Sequence, residues 1–252
     1  MEKELVEAIK KLIITAGQIA LTAREQGVKI EWKDDESPVT NADKAISLLI
    51  FNELSRLTPH IPIICEERPL IPVDQNNQFW LVDPIDGTKS FIKNEDSFTI
   101  NIALIDRLRA LYGFVYQPVK DLLYFTDENQ KFCIQQNDLA IASHKHELEG
   151  FVAIVSSNNF NSQTAEYLKN NIFAEVIAMP SSLKLCLIAE GRCDVYPKFG
   201  TTMEWDIAAG HALINAAGGE IRTLSGKQML YAKKHFQNTP FIATSKKWLS
   251  KR

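Results

Sequence analysis

The segment that decides the fold is Phe79-Trp80-Leu81-Val82-Asp83-Pro84-Ile85-Asp86-Gly87-Thr88-Lys89-Ser90-Phe91, an apolar run that turns abruptly into acids. The run predicts a buried strand ending at the Asp-Pro step, because Pro84 cannot donate to a regular ladder. Gly87 permits a tight backbone path, so Asp83 and Asp86 can turn toward one point. Two carboxylates, a free carbonyl and a hydroxyl then lie together, and Mg²⁺ prefers such oxygen ligands. Taken alone, the segment fits a hairpin corner at Asp86-Gly87 about as well.

Two further acidic sites lie at predicted element ends. Glu66 and Glu67 follow the strand-like run Ile61 to Ile64, where a buried carboxylate is costly unless a cation compensates it. An exposed acidic corner paired with Arg68 explains the same residues without any ligand. Asp206 stands at the start of a helical pattern, where a helix N-cap alone accounts for it, although helix N-termini also attract phosphate. The combination of sites favours a metal-assisted reaction on a phosphate ester.

The remaining pattern predicts helices and strands in alternating blocks. Residues 4–25 and a segment from Asp43 to Leu54 show helical spacing of apolar residues. Strands are predicted at Ile61 to Ile64, Phe79 to Val82, Ser97 to Ile105, Tyr112 to Tyr116 and Leu122 to Phe125. From residue 151 to 223, strand-like and helical stretches alternate. The polar residues 127–150 are predicted to connect the two halves.

Composition narrows the classes of protein and of partner. The chain has 252 residues and a formal net charge of -3 with scattered basic residues, which argues against a nucleic-acid partner. No apolar run reaches membrane-spanning length, and the four cysteines form no CxxC pair. We therefore expect a small-molecule substrate, no stable membrane insertion, and a location in the cytoplasm or at the periphery of the inner membrane.

The ordered motifs resemble a known family. They are Pro38-Val39-Thr40-Asn41-Ala42-Asp43, Glu66-Glu67, Asp83-Pro84-Ile85-Asp86-Gly87-Thr88, Trp205-Asp206-Ile207-Ala208-Ala209-Gly210 and Ala217-Gly218-Gly219. Together they resemble the lithium-sensitive magnesium phosphatases, which include inositol monophosphatases, fructose 1,6-bisphosphatases and 3'(2'),5'-bisphosphate nucleotidases. Segments 88–93, 98–105, 181–186, 189–191 and 196–200 are similar to the CysQ type of bisphosphate nucleotidase in particular.

The resemblance implies a fold and a set of site residues. The implied fold is a layered αβαβα sandwich, an α+β or α/β protein. Residues 1–130 would carry most metal ligands, and residues 131–252 would complete the substrate pocket within one compact unit. The implied ligands of two or three Mg²⁺ ions are Glu66, Asp83, the carbonyl of Ile85, Asp86 and Asp206, with Asp83 bridging. Thr88, polarised by Asp43, would orient the attacking water. Implied substrate contacts are Glu66, Gly87, Thr88, Ser182, Lys184, Lys198 and Asp206.

The implied activity is hydrolysis of the 3'-phosphate of adenosine 3',5'-bisphosphate (PAP) to AMP and phosphate, with PAPS to APS as a further reaction. Relatives often carry a histidine near the adenine where this chain has Asn159, which has no aromatic face for stacking. Two alternatives remain open: a phosphatase for inositol or sugar phosphates, and a non-catalytic nucleotide sensor. We expect a phosphorylated nucleotide as partner and a monomeric or homodimeric protein.

Overall fold

The structure is a computed structural model that describes residues 1–34, 36–143, 145–157 and 160–251. The helices are α1 (Lys3–Gln26), α2 (Asn41–Leu57), α3 (Thr88–Ile92), α4 (Ser162–Lys169), α5 (Leu183–Glu190), α6 (Glu204–Ala216) and α7 (Lys246–Ser250). The first strands are β1 (Ile30–Trp32), β2 (Pro38–Thr40), β3 (Ile63–Cys65), β4 (Gln78–Asp86), β5 (Thr99–Asp106), β6 (Arg109–Gln117) and β7 (Leu122–Thr126). The later strands are β8 (Phe132–Gln136), β9 (Leu139–Ile141), β10 (Val152–Ser156), β11 (Glu175–Met179), β12 (Val195–Lys198), β13 (Glu220–Thr223) and β14 (Phe241–Thr244).

The first half forms a seven-stranded sheet in the order β3-β4-β5-β6-β7-β8-β9. Its pairs are antiparallel except β3 with β4, which are parallel. The predicted first helix is confirmed as α1, whose buried stripe faces the sheet, and Gly27 ends it at a φ of +92°. α1 and α2 together cover one face of this sheet over a common apolar core.

The other face of the seven-stranded sheet packs against α6, with α5 beside it. The approach of α6 to β6 is unusually close, because a Cβ added at Gly113 would lie 2.2 Å from the carbonyl oxygen of Ala209. This packing fixes the position of α6 and therefore of the acidic residue in its first turn.

The second sheet has five strands in the order β11-β10-β12-β14-β13, and α5 and α6 lie between it and the first sheet over a second apolar core. Helix α4 contacts β12 and completes the outer layer. The chain therefore forms the layered αβαβα sandwich, and the predicted alternation between residues 151 and 223 is confirmed. None of the helices in the described ranges combines the length and apolarity needed to cross a membrane.

The sequence missed two strands within residues 127–150, the segment predicted to connect the halves. β8 and β9 lie within this segment and extend the first sheet through antiparallel pairs with β7 and with each other. Their half-exposed burial pattern explains the error, because edge strands lack the apolar run on which the prediction depended. The chain passes from one sheet to the other between Ile141 and Val152, in the later part of the predicted connection.

Candidate active site

The acidic end of β4 is built around a bulge. The strand does not stop at the Asp-Pro step as predicted but continues through Pro84 to Asp86. Its register with β5 shifts there, with Asp83 opposite Asn101 and Asp86 opposite Thr99, so three steps along β4 match two along β5. One extra residue changes which face the following side chain occupies, so the bulge lets both aspartates lie on one side of the strand. Gly87, at a φ of +87°, then turns the chain into α3.

Ile85 presents its main chain to this site while its side chain lies in the core. Its N–H donates to Asp83 Oδ1 at 3.1 Å, and its carbonyl oxygen accepts from the Thr88 hydroxyl at 3.1 Å. The carbonyl that the resemblance assigns as a metal ligand is therefore engaged by Thr88 in this structure.

Glu66 lies beside the end of β4, because its N–H donates to the carbonyl of Val82 at 3.1 Å. The suggested pairing with Arg68 is not observed: the Arg68 guanidinium lies over the Phe51 ring, 3.7 Å from its centroid. The cation that meets the acids is Lys33, whose Nζ is 2.9 Å from Glu66 Oε1 and 2.6 Å from Glu67 Oε1. Burial opposes the charge of Lys33, but the two carboxylates outweigh burial and raise its pKa.

Asp206 enters the site from the first turn of α6. The helix begins at Glu204 after Met203, so Asp206 is the third helical residue and not the N-cap that the sequence suggested. Its Oδ2 accepts from the Met203 N–H at 2.8 Å, which satisfies a backbone donor at the helix start. The side chain is only partly buried and is aimed at the cavity described below.

The electrostatics show that these acids are close neighbours. Burial raises the pKa of Asp83 well above its usual value, and the negative charges of Glu66, Asp86, Asp206 and Asp43 raise it further. Burial also raises the pKa of Asp206, followed by the charges of Asp86 and Glu66. The neighbouring carboxylates therefore destabilise the charged forms of Asp83 and Asp206, which a bound cation would reverse.

The donor set fits Mg²⁺, because it consists of carboxylate and carbonyl oxygens. Within the described ranges, however, no three acidic, histidine or cysteine side chains stand close enough together to enclose an ion. Protein donors hold some of them apart: Lys33 binds Glu66, the Ser182 N–H binds Asp86, and the Met203 N–H binds Asp206. A cation bound there would compete with these donors for the carboxylate oxygens.

Asp43 and Thr88, the predicted water-activating pair, lie in elements that pack together, α2 following β2 and α3 contacting β2. Asp43 Oδ2 accepts from the Thr40 N–H at 2.8 Å and from the Thr40 hydroxyl. Burial raises the pKa of Asp43 to about 6, the Thr40 hydrogen bonds oppose this rise, and the charges of Glu67 and Glu66 add to it. No hydrogen bond joins Asp43 to Thr88, both of which the structure describes, because the Thr88 hydroxyl is engaged by Ile85.

A cavity of about 140 Å³ opens beside the acids. It brings together five of the predicted substrate contacts, namely Gly87, Ser182, Lys184, Lys198 and Asp206, with the predicted metal ligand Asp86. Sequence reasoning missed other lining residues, among them Ser156, Tyr196, Thr201 and Thr202. Ser156, Thr201 and Thr202 lie outside the quoted motifs, and Tyr196 lies in segment 196–200 without a role assigned to it. Asn158 and Asn159, the departure near the expected base site, lie outside the described residues.

Two buried lysines give the cavity a positive wall. The Lys184 ammonium donates to the carbonyl of Ser181 and lies 5.3 Å from the centroid of the Tyr196 ring. Burial lowers the pKa of Lys184 to about 8, with Asp86 opposing the shift and Lys198 adding to it. Burial likewise lowers the pKa of Lys198. An anionic ligand group would offset this desolvation cost, so the chemistry of the two lysines suits the binding of a phosphate.

The fold and this site define a metal-dependent phosphatase architecture, and the comparisons place the chain more closely. The model of the inositol monophosphatase family matches residues 1–251, so the chain belongs to that family. A protein of Salmonella typhimurium named 3'(2'),5'-bisphosphate nucleotidase CysQ is 36% identical over 248 residues, covering 95% of this chain and 99% of that protein. The CysQ of Escherichia coli K12, with the same name, is 39% identical over 215 residues, covering 83% of this chain and 86% of its own.

Solved structures agree with this assignment. The crystal structure of CysQ from Bacteroides thetaiotaomicron superposes with a TM-score of 0.82 at 31% identity, covering 97% of this chain and 98% of that one. An IMPase of Thermotoga maritima superposes with a TM-score of 0.79 at 22% identity, covering 98% of this chain and 94% of that one, and shows the shared fold.

Proposed function

We propose that this protein is a magnesium-dependent 3'(2'),5'-bisphosphate nucleotidase that hydrolyses PAP to AMP and phosphate, and PAPS to APS. The observation that carries the proposal is the position of the carboxylates around the buried Asp83 beside a cavity walled by two buried lysines. An acidic cluster suits a metal-assisted attack on one phosphate, and the lysines suit a second phosphate that is retained. The bisphosphate nucleotidase activity for which the CysQ relatives are named supports the same reaction.

Glu66, Asp83, Asp86, Asp206 and the carbonyl of Ile85 would hold two or three Mg²⁺ ions, with Asp83 shared between ions. Bound there, Mg²⁺ would supply Lewis acidity to the phosphate and lower the pKa of the attacking water. Before a cation can bind, these carboxylates must lose the contacts that they make now, above all the ion pair between Glu66 and Lys33. A divalent cation and Lys33 therefore compete for the carboxylate of Glu66, and we expect Lys33 to move when the cation binds.

Thr88 and Asp43 would handle the proton of the attacking water. The Thr88 hydroxyl must rotate away from the Ile85 carbonyl so that it can donate to Asp43 and accept from water. Asp43, with a pKa of about 6, is ionised at neutral pH and can take up the proton that the Thr88 hydroxyl relays. This role requires no covalent enzyme intermediate.

Lys184 and Lys198 would bind the phosphate that is not cleaved. A monophosphate ester such as inositol 1-phosphate would leave both ammonium groups without a phosphate partner in their buried wall. The lysine pair therefore favours the nucleotide bisphosphate over the alternative inositol or sugar phosphate. The nucleotide-sensor alternative leaves the Asp43 and Thr88 pair without a purpose.

The test measures phosphate release from PAP and from inositol 1-phosphate with Mg²⁺. We expect a strong preference for PAP, and Lys184→Met should lose most of it while retaining turnover of the monophosphate. A preference of the unaltered protein for inositol 1-phosphate would overturn the substrate assignment. Tight Mg²⁺-dependent binding of PAP without any turnover would instead favour the sensor. The cytoplasmic location and the monomeric or homodimeric state stay predictions, which fractionation and light scattering test.

A further inference from the structure

Three polar side chains lie buried behind Asp86 where apolar residues would ordinarily fill the core. Thr99 is fully buried, Asn101 is 1% exposed and Ser182 is 3% exposed. Thr99 and Asn101 come from β5 of the first sheet, whereas Ser182 immediately precedes α5 in the second half of the chain. Burying such groups is costly unless each finds a hydrogen-bond partner.

Their partners are one another and Asp86. The Ser182 hydroxyl donates to Asn101 Oδ1 at 2.8 Å and lies 2.8 Å from the Thr99 hydroxyl. The Asn101 amide points its Nδ2 at Asp86 Oδ2, 3.5 Å away, and the Ser182 N–H donates to that same oxygen. All three side chains are thereby tied to one carboxylate.

Both of these contacts involve one oxygen of Asp86. Oδ2 accepts from the Ser182 N–H and faces Nδ2 of Asn101. A carboxylate held through one oxygen presents the other in a fixed direction, which is the arrangement that orients a metal ligand.

We propose that Asn101, Ser182 and Thr99 are positioning residues that fix Asp86 as a divalent-cation ligand and tie it to the start of α5. The inference rests on the proposed function, in which Asp86 binds Mg²⁺. Lys184 lies in the first turn of α5, so the same network sets the distance between the cation and the phosphate-binding wall. Cation binding and the retained-phosphate site are therefore coupled through Ser182.

The alternative is a network that serves only folding. Replacing Asn101 with leucine, which has a similar shape but no polar atoms, removes both of its hydrogen bonds. A purely structural role predicts a lower free energy of unfolding with chelator present and an unchanged cation affinity of the folded protein. A positioning role predicts weaker cation binding by the folded protein as well.

The experiment measures Mn²⁺ binding to the full chain by calorimetry and electron paramagnetic resonance, without nucleotide. We expect Asn101→Leu to raise the Mn²⁺ dissociation constant about tenfold or more, in the range typical of lost supporting hydrogen bonds. Thr99→Val should weaken binding in the same direction, and Thr99→Ser, which keeps the hydroxyl, should restore it. Thr126→Val is the matched control, because it removes a buried hydroxyl that accepts from the Gly113 N–H at 3.1 Å in the same sheet but away from the acids.

Mn²⁺ affinities of Asn101→Leu and Thr99→Val within twofold of the unaltered protein would overturn the inference and leave the proposed activity standing. If Asn101→Leu does not fold, Ser182→Ala decides, since it removes the hydroxyl that Asn101 accepts from and keeps the backbone donor to Asp86. An unchanged Mn²⁺ affinity of Ser182→Ala would likewise overturn the inference. Absence of saturable Mn²⁺ binding by the unaltered protein would overturn the metal site itself, and this inference with it.

Discussion

Replacing Asp43 with asparagine is expected to stabilise the fold at neutral pH while slowing catalysis. Asp43 is 2% exposed and caps the start of α2 by accepting from Thr40. Asparagine keeps an acceptor oxygen for that cap but removes a negative charge that burial and the nearby Glu67 and Glu66 oppose. The change therefore separates the structural role of the side chain from the role of its charge.

The magnitude follows from the pKa. Folding raises the pKa of Asp43 from its usual 3.8 to about 6, and a shift of about two units corresponds to about 3 kcal/mol. Because the folded pKa lies above the unfolded one, ionisation favours the unfolded state. About 3 kcal/mol of the free energy of unfolding of the unaltered protein is then lost as the pH rises from about 4 to 6. Above that range the free energy of unfolding levels off. The advantage of the variant should grow from about 1 kcal/mol at pH 4.5 to about 3 kcal/mol at pH 7.5.

Urea unfolding followed by circular dichroism, with chelator present and at pH 4.5, 6 and 7.5, measures this difference. Asp74→Asn is the control for the effect of an Asp-to-Asn change at an exposed site. Asp74 is an exposed turn residue that accepts from the Asn76 N–H at 2.9 Å. A difference that does not change with pH, or a variant less stable at pH 7.5, would refute the reasoning. With Mg²⁺ and PAP, kcat of Asp43→Asn should fall by about 100-fold or more, as expected when a proton acceptor is lost.

Three further outcomes follow from the site and its supports. Asp83→Asn should abolish turnover while circular dichroism shows an intact fold, because it removes a shared metal ligand; near-normal activity would refute the ligand assignment. Lys184→Met should raise KM for PAP with a smaller effect on kcat, and in the unaltered protein KM should rise from pH 7 to 9 as Lys184, with a pKa of about 8, loses its charge. A flat KM over that range would count against the phosphate role. Gly113→Ala should destabilise the fold by about 2 kcal/mol in urea unfolding, since its Cβ meets the backbone of Ala209 at 2.2 Å; an unchanged midpoint would contradict the close packing of α6.

The elements that sequence predicted well are those whose own residues bury a regular stripe. The 24-residue helix α1 places its apolar residues on one face, and the apolar core strands β4, β5 and β6 read as continuous or alternating runs. β8 and β9 were missed because their side chains are half exposed, and their identity as strands depends on pairing with β7. The short α3 follows from the turn at Gly87 and leaves little periodicity to detect.

The site residues likewise include some that a local sequence pattern could reveal and others that only folding brings together. Alternation within Thr99-Ile100-Asn101-Ile102 places two polar residues on one strand face, a signal that could have drawn attention to Thr99 and Asn101. No local pattern could have shown that Lys33 meets Glu66 and Glu67, because that contact closes a loop of more than thirty residues.

The sequence by itself determined the acidic segment from Asp83 to Gly87, the order of the motifs and the alternation of helices and strands, since these depend on residue type, spacing and apolar periodicity. The layered architecture was implied by the family that those motifs resemble. Only the tertiary structure decided that a bulge continues β4 through Pro84, that Thr88 donates to Ile85, and that Ser182 reaches Asp86 from the other half of the chain. The physical reason is that a hydrogen bond depends on distance and direction in space. Residues 96 positions apart acquire these only when both sheets pack on α5 and α6.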